Sequence, residues 1–238
     1  AAHVEALAAV AASRNRPLLV MLDLDVGMHR TGAALQAALL QAASAAGLDI
    51  ATGQKVETLY TDTNGKVCGV RAIAPDGMAQ DVGCSCLVLA CNGYGGNAAL
   101  VREHIPEMSD ALYFGHTGNQ GEAVIWGHAL GAKLADMSGY QGHGSVAHPH
   151  GALISWALMM EGGIQINTEG ERFSNEHDGY SEQAERVIRQ PDQTAYALID
   201  DRILALAREF PDFCGAEAAG ALISAASIAE MEKRLGVQ

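Results

Sequence analysis

The run Leu87-Val88-Leu89-Ala90, followed by Cys91-Asn92-Gly93-Tyr94-Gly95-Gly96-Asn97, constrains this chain more than any other stretch. Its apolar residues suit one buried strand, and the residues behind them are small. A strand that runs into glycines has no bulky side chain to keep a ligand from its backbone N–H groups. Further on, Gly118-Asn119-Gln120-Gly121-Glu122 opens a helical pattern that runs to Gly131.

Around these two segments the chain alternates helix and strand patterns. Residues 17–25 read as a buried strand preceded by a helix, and residues 32–46 as an alanine- and leucine-rich helix ending at Gly47. Residues 55–60 and 67–73 read as strands joined through Asn64-Gly65, since both of those residues tolerate positive φ. Pro75-Asp76-Gly77 marks a second turn, after which residues 82–90 return as a strand. Downstream the pattern predicts a helix over 122–130, a Gly- and His-rich loop over 138–151, and a strand over 163–167. A turn at 168–170, a helix over 181–190, a strand over 194–199 and a helix over 201–209 follow. Ser227-Ile228-Ala229-Glu230 is a capping box, and Gly236 stands where a C-cap glycine belongs. The fold class is α/β.

At 238 residues, 49% of them apolar, the chain can bury a substantial core. A net charge of −13 argues against nucleic-acid or anionic-membrane partners, because phosphate binding relies on Lys and Arg. No apolar run approaches a membrane span and no signal peptide is visible. Five cysteines form no disulfide framework, and Cys84-Ser85-Cys86 lacks a second pair to complete a zinc site. Buried, reduced thiols are expected, and with them a cytoplasmic location.

From about Arg30 onward the order of features resembles the FAD-binding flavoproteins that include fumarate reductase, succinate dehydrogenase, 3-ketosteroid dehydrogenase and tricarballylate dehydrogenase. The glycine segment at 87–97 is similar to that family's LATGGFGGN, and 118–122 to its GNTGDG. Asn64-Gly65-Lys66-Val67-Cys68-Gly69-Val70 resembles its hairpin, and Glu169-Gly170-Glu171-Arg172-Phe173-Ser174-Asn175-Glu176 its EGRRFVNE segment over the substrate. The resemblance implies FAD as cofactor, lined by Ala90, Cys91, Asn92 and Gly93 and closed by Gly121 and Glu122. It implies a partial, Rossmann-like FAD domain with a β-meander over 1–139, then part of an α+β substrate cap over 140–238. Cys91-Asn92 stands where the family has Thr-Gly, and Glu122-Ala123 where it has Asp-Gly. No G-x-G-x-x-G opens a helix near the N-terminus, and the family's C-terminal return segment is missing, so another chain or further residues would complete the FAD site.

The first thirty residues resemble a different family. Leu22-Asp23-Leu24-Asp25-Val26-Gly27-Met28-His29-Arg30-Thr31-Gly32 is similar to a strand of D-threonine aldolase and D-serine dehydratase, PLP enzymes in which the arginine of this motif faces the pyridoxal ring. Arg30 would be that residue here. A PLP enzyme needs a Schiff-base lysine, upstream of this strand in that family, and no lysine precedes Lys55. A PLP-dependent lyase or racemase fragment therefore stands as an alternative only if a lysine comes from elsewhere.

The flavoprotein resemblance implies hydride transfer between the flavin and a small keto or unsaturated acid or a steroid-like ketone, with a protein group moving the proton. His143, after Tyr140-Gln141-Gly142, matches the family's substrate-loop histidine. Its proton-relay pair would fall near Trp156 and Met159, which cannot carry protons, and its essential arginine near Tyr180. Tyr180 itself can donate or accept a proton at a developing oxyanion. It lies in a run, residues 175–182, that carries five proton-handling groups and reads either as catalytic or as a solvated loop. The spacing of His143, His148 and His150 invites a metal, but no cysteine or carboxylate nearby completes a ligand set. Tyr180 and His143 are the candidate catalytic residues. The alternative of another class is a truncated or recombined remnant that acts only through exposed apolar surfaces.

Overall fold

The computed structural model describes residues 32–237, which fall into two compact units: residues 32–103 with 113–137, and residues 104–112 with 138–237. The strand and helix expected within the first thirty-one residues, and Arg30, lie outside the described residues.

The first unit opens with helix α1, Gly32–Ala45. It ends as expected at Gly47, whose φ of +69° lets its N–H reach Ser44 O while Leu48 N–H reaches Ala43 O. That pair of bonds is a Schellman closure, which satisfies the last carbonyls of the helix. An antiparallel meander follows, β1 (Lys55–Thr61), β2 (Val67–Ile73) and β3 (Ala79–Gly83), in the order β1-β2-β3. Asp62 caps the first turn by accepting from the Asn64 and Lys66 N–H groups, and Gly65 takes φ +77° there. Register is pinned across the sheet by Arg71, which donates twice to Asp81 and stacks 5.7 Å from the Tyr60 ring centroid. Val70 and Ala72 form the buried side of β2.

The strand expected over 82–90 is different. β3 stops at Gly83, and the run 84–93 is irregular, with Val88 62% exposed. A central strand needs strand partners on both edges; Cys84 N–H still reaches Cys68 O at 2.9 Å, but among the described residues no strand is paired beyond it, and Val88 and Leu89 stay exposed. The expected burial of the thiols is not observed: Cys68, Cys86 and Cys214 are exposed and Cys84 and Cys91 half-buried. Helices α2 (Ala98–His104) and α3 (Glu122–Ala129) complete this unit, α2 being one the sequence pattern did not signal.

The second unit holds a short hairpin, β4 (Val146–Ala147) with β5 (Ala152–Leu153), then helix α4 (Ala157–Met160) and β6 (Ile164–Ile166) paired antiparallel with β7 (Tyr196–Leu198). Helix α5, Tyr180–Ile188, starts one residue earlier than its sequence pattern indicates. Helices α6 (Asp201–Ala207), α7 (Pro211–Ala218) and α8 (Ile228–Leu235) end the chain. The core joins Trp156, Leu158 and Met159 to Ile203, Ala207 and Phe213. Among the described residues every sheet is small and antiparallel, and no helix is long and apolar enough to cross a membrane.

Candidate functional site

In the first unit the two glycine segments meet. Gly96 N–H donates to Asn119 O at 2.9 Å, Asn97 Nδ2 to Gln120 O at 2.9 Å, and Gln120 Nε2 to Gly96 O at 3.0 Å. The glycines have separate tasks. A Cβ on Gly95 would strike the Tyr113 ring, and one on Gly96 would crowd the Asn119 and Thr117 carbonyls. A Cβ on Gly93 would meet nothing within 4 Å. Ala90, Asn92 and Gly93 are exposed, Cys91 is half-buried, and Asn92 takes φ +63°. Gly121, at φ +88°, is the N-cap of α3, packs against Tyr94 and Leu100, and puts Glu122 in the first turn. Small residues beside open space at Gly93 fit an extended cofactor lying along the backbone.

The second unit brings His143 and Tyr180 together. Their ring centroids are 5.5 Å apart, tilted by 33°. His143 also meets Trp156 edge to face, centroids 6.1 Å apart. Gln141 Nε2 donates to the Tyr180 hydroxyl oxygen at 2.7 Å, which leaves that hydroxyl its own proton to donate. The Ser145 N–H donates to His143 Nδ1 at 3.2 Å, which assigns the proton of the neutral ring to Nε2. Tyr180 is 37% exposed and half-open to solvent, whereas Trp156 and Met159 are core residues. Beside Tyr180 a shallow depression is lined by Ser138, Gly139, Tyr140, Ser181, Glu182 and Glu185. Burial pushes the Tyr140 phenol up, and Glu185, Glu107 and Glu182 push it the same way against Arg189.

The loop that carries His143 lies flat on α5. A Cβ on Gly142 would stand 2.7 Å from Ala184 Cβ, and one on Gly144 2.8 Å from Gln183 Cγ. The run at 175–182 divides in the structure. Glu176 is buried in an ion pair with Arg172 and accepts from Gln165 N–H, so it is no proton donor to substrate. Asp178 pairs with Arg186. His148 and His150 are exposed, and among the described residues no three His, Cys, Asp or Glu side chains form a metal-binding group. Sequence reasoning missed Gln141, Gln165 and Gln183; only the three-residue step from Tyr180 to Gln183 on one helix hinted at the last.

One unit thus holds two glycine segments that meet beside open backbone, and the other a histidine and a tyrosine ring in contact. The model of the FAD binding domain matches residues 7–229, and the chain belongs to that family, whose cofactor is FAD. The match takes in the segment around Arg30. The chain is 27% identical over 191 residues to the NADH:fumarate oxidoreductase of Klebsiella pneumoniae, and 26% identical over 165 residues to a probable fumarate reductase of Shewanella frigidimarina. These alignments take in 80% and 69% of this chain but only 20% and 28% of the relatives. The open conformation of a flavocytochrome c3 fumarate reductase superposes with a TM-score of 0.72 at 22% identity, over 90% of this chain and 37% of that one. A 3-ketosteroid-Δ4-(5α)-dehydrogenase from Rhodococcus jostii gives 0.57 at 23% identity, over 91% and 43%.

Proposed function

We propose that this chain is part of an FAD-dependent oxidoreductase acting on an uncharged carbonyl compound, such as a steroid-like ketone, in preference to a dicarboxylic acid. FAD, when bound, supplies the acceptor or donor for hydride transfer. Ala90, Cys91, Asn92 and Gly93 would lie along it, and Gly121 with Glu122 would close the cradle, Glu122 accepting from its hydroxyl groups. Tyr180 handles the proton at the substrate oxygen, and His143 lies against its ring with Nε2–H as a second donor. The observation that carries this reading is the 5.5 Å His143–Tyr180 ring pair, with Gln141 committed to the phenol oxygen.

The choice of substrate class rests on charge. Holding a dicarboxylate takes uncommitted guanidinium groups. In the second unit Arg172, Arg186, Arg189, Arg202, Arg208 and Arg234 are each paired with a carboxylate, and the essential arginine of the resembled family would fall near Tyr180. Glutamates line the depression beside Tyr180. In this reading the chain holds FAD by itself, and further residues or another chain would enclose it more fully. Reduced thiols at all five cysteines suit a reducing compartment such as the cytosol. A non-catalytic interaction module is the second reading, and the exposed apolar run at Val88 and Leu89 favours it.

The Tyr180→Phe variant separates the two. Turnover of a ketone substrate by FAD-loaded protein should fall by about 10²- to 10⁴-fold while flavin stays bound. Turnover within two-fold of wild type, or none in wild type with any ketone or enone tried, would sink the proposed chemistry.

A further inference from the structure

Gln183 is fully buried and Gln165 is 2% exposed, an expensive place for two amides unless every group is bonded. They are bonded to each other, to the 174–176 segment and to the loop that carries His143. Gln183 Nε2 donates to Gln165 Oε1 at 2.8 Å, and Gln183 Oε1 accepts from Ser174 Oγ at 2.8 Å. The backbone N–H of Gln165 donates to Glu176 Oε1 at 2.7 Å, which anchors the strand end of the chain. Its side-chain Nε2 donates to the carbonyl oxygen of Gly144 at 2.8 Å.

That carbonyl and the N–H of Ser145 belong to one planar peptide unit, so fixing the first aims the second. The Ser145 N–H is the donor to His143 Nδ1. Gly144 is held on its other side as well, its N–H donating to Tyr180 O at 3.1 Å. We infer that Gln165 is a positioning residue that sets the tautomer of His143 through the Gly144–Ser145 peptide plane, with Gln183 orienting the Gln165 amide. The inference rests on the reading of His143 and Tyr180 as the proton-handling pair, for which a fixed Nε2–H is the useful form.

Gln165 has one arrangement. The Gly144 carbonyl can only accept, so Gln165 presents Nε2 to it and Oε1 to Gln183 Nε2, which also donates to Ser174 Oγ at 2.5 Å. An apolar side chain of similar volume would fill the site at position 165 without holding the carbonyl, which leaves the peptide plane free to turn.

Nitrogen-15 spectra of the imidazoles, recorded on the purified chain above the titration of its histidines, test this without cofactor or substrate. His143 is assigned by its disappearance in His143→Gln. Wild type should show His143 as the Nε2–H tautomer. Gln165→Met should convert that resonance pattern to a mixture, with the patterns of His148, His150 and His177 unchanged. A folded Gln165→Met protein with an unchanged His143 pattern would overturn the inference. So would an Nδ1–H pattern in wild type, which decides the matter even if the variant does not fold. Failure of the proton-handling reading itself would show instead in the turnover of Tyr180→Phe.

Discussion

Glu176 shows how a proton-bearing residue beside the site is taken out of chemistry. Burial pushes its carboxyl up, but the Arg172 guanidinium and the Gln165 N–H outweigh it and hold it below the usual carboxylate range. A depressed folded-state value means a contribution to stability that is present above the unfolded value of about 4.3 and is lost as pH falls through the folded one. Urea midpoints measured from pH 7 to pH 3 should therefore drop in wild type below about pH 4.3. In Glu176→Gln that part of the drop should be missing, from a lower plateau at pH 7, because the Arg172 partner has gone. Parallel pH profiles would mean that Glu176 is not coupled to folding.

At the scale of elements, two caps of the same chemistry should behave differently. Asp200 accepts from Ile203 N–H to start α6, which contributes Ile203 and Ala207 to the core. Ser227 accepts from Glu230 N–H to start α8, which buries nothing. Replacing Asp200 by Ala should cost about 1 kcal/mol of global stability. The same change at Ser227 should leave the global midpoint alone and speed amide exchange only within 228–235. The Ser227 cap, the Asn64-Gly65 hairpin and the Gly47 and Gly236 closures were legible in the sequence because each is a local bargain between neighbouring residues. The 82–90 strand was not, since a strand is made by what lies beside it and an apolar run does not say what that is. The buried glutamines were equally silent: Gln165 and Gln183 look like surface residues until β6 and α5 are seen to enclose them. Tyr180 and His143 were nameable from a motif, but Gln141 was not, because its partner lies 39 residues away.

Across the molecule the chain matches the FAD binding domain over residues 7–229 but spans only 20% and 28% of the length of the two fumarate-reducing relatives. Val88 and Leu89 are exposed apolar residues in a run that joins no sheet among the described residues. The central claim is that the open backbone around Gly93 is where FAD lies. Gly93 has room for a side chain and ordinary negative-φ or extended backbone, so Gly93→Trp should leave the fold intact and fill the cofactor's place. The decisive measurement is flavin absorbance co-eluting with the protein in gel filtration after incubation with FAD, wild type beside Gly93→Trp, with circular dichroism to establish that both are folded. The account predicts that flavin travels with wild type and not with the variant. Flavin retained equally by both, or by neither, would contradict it.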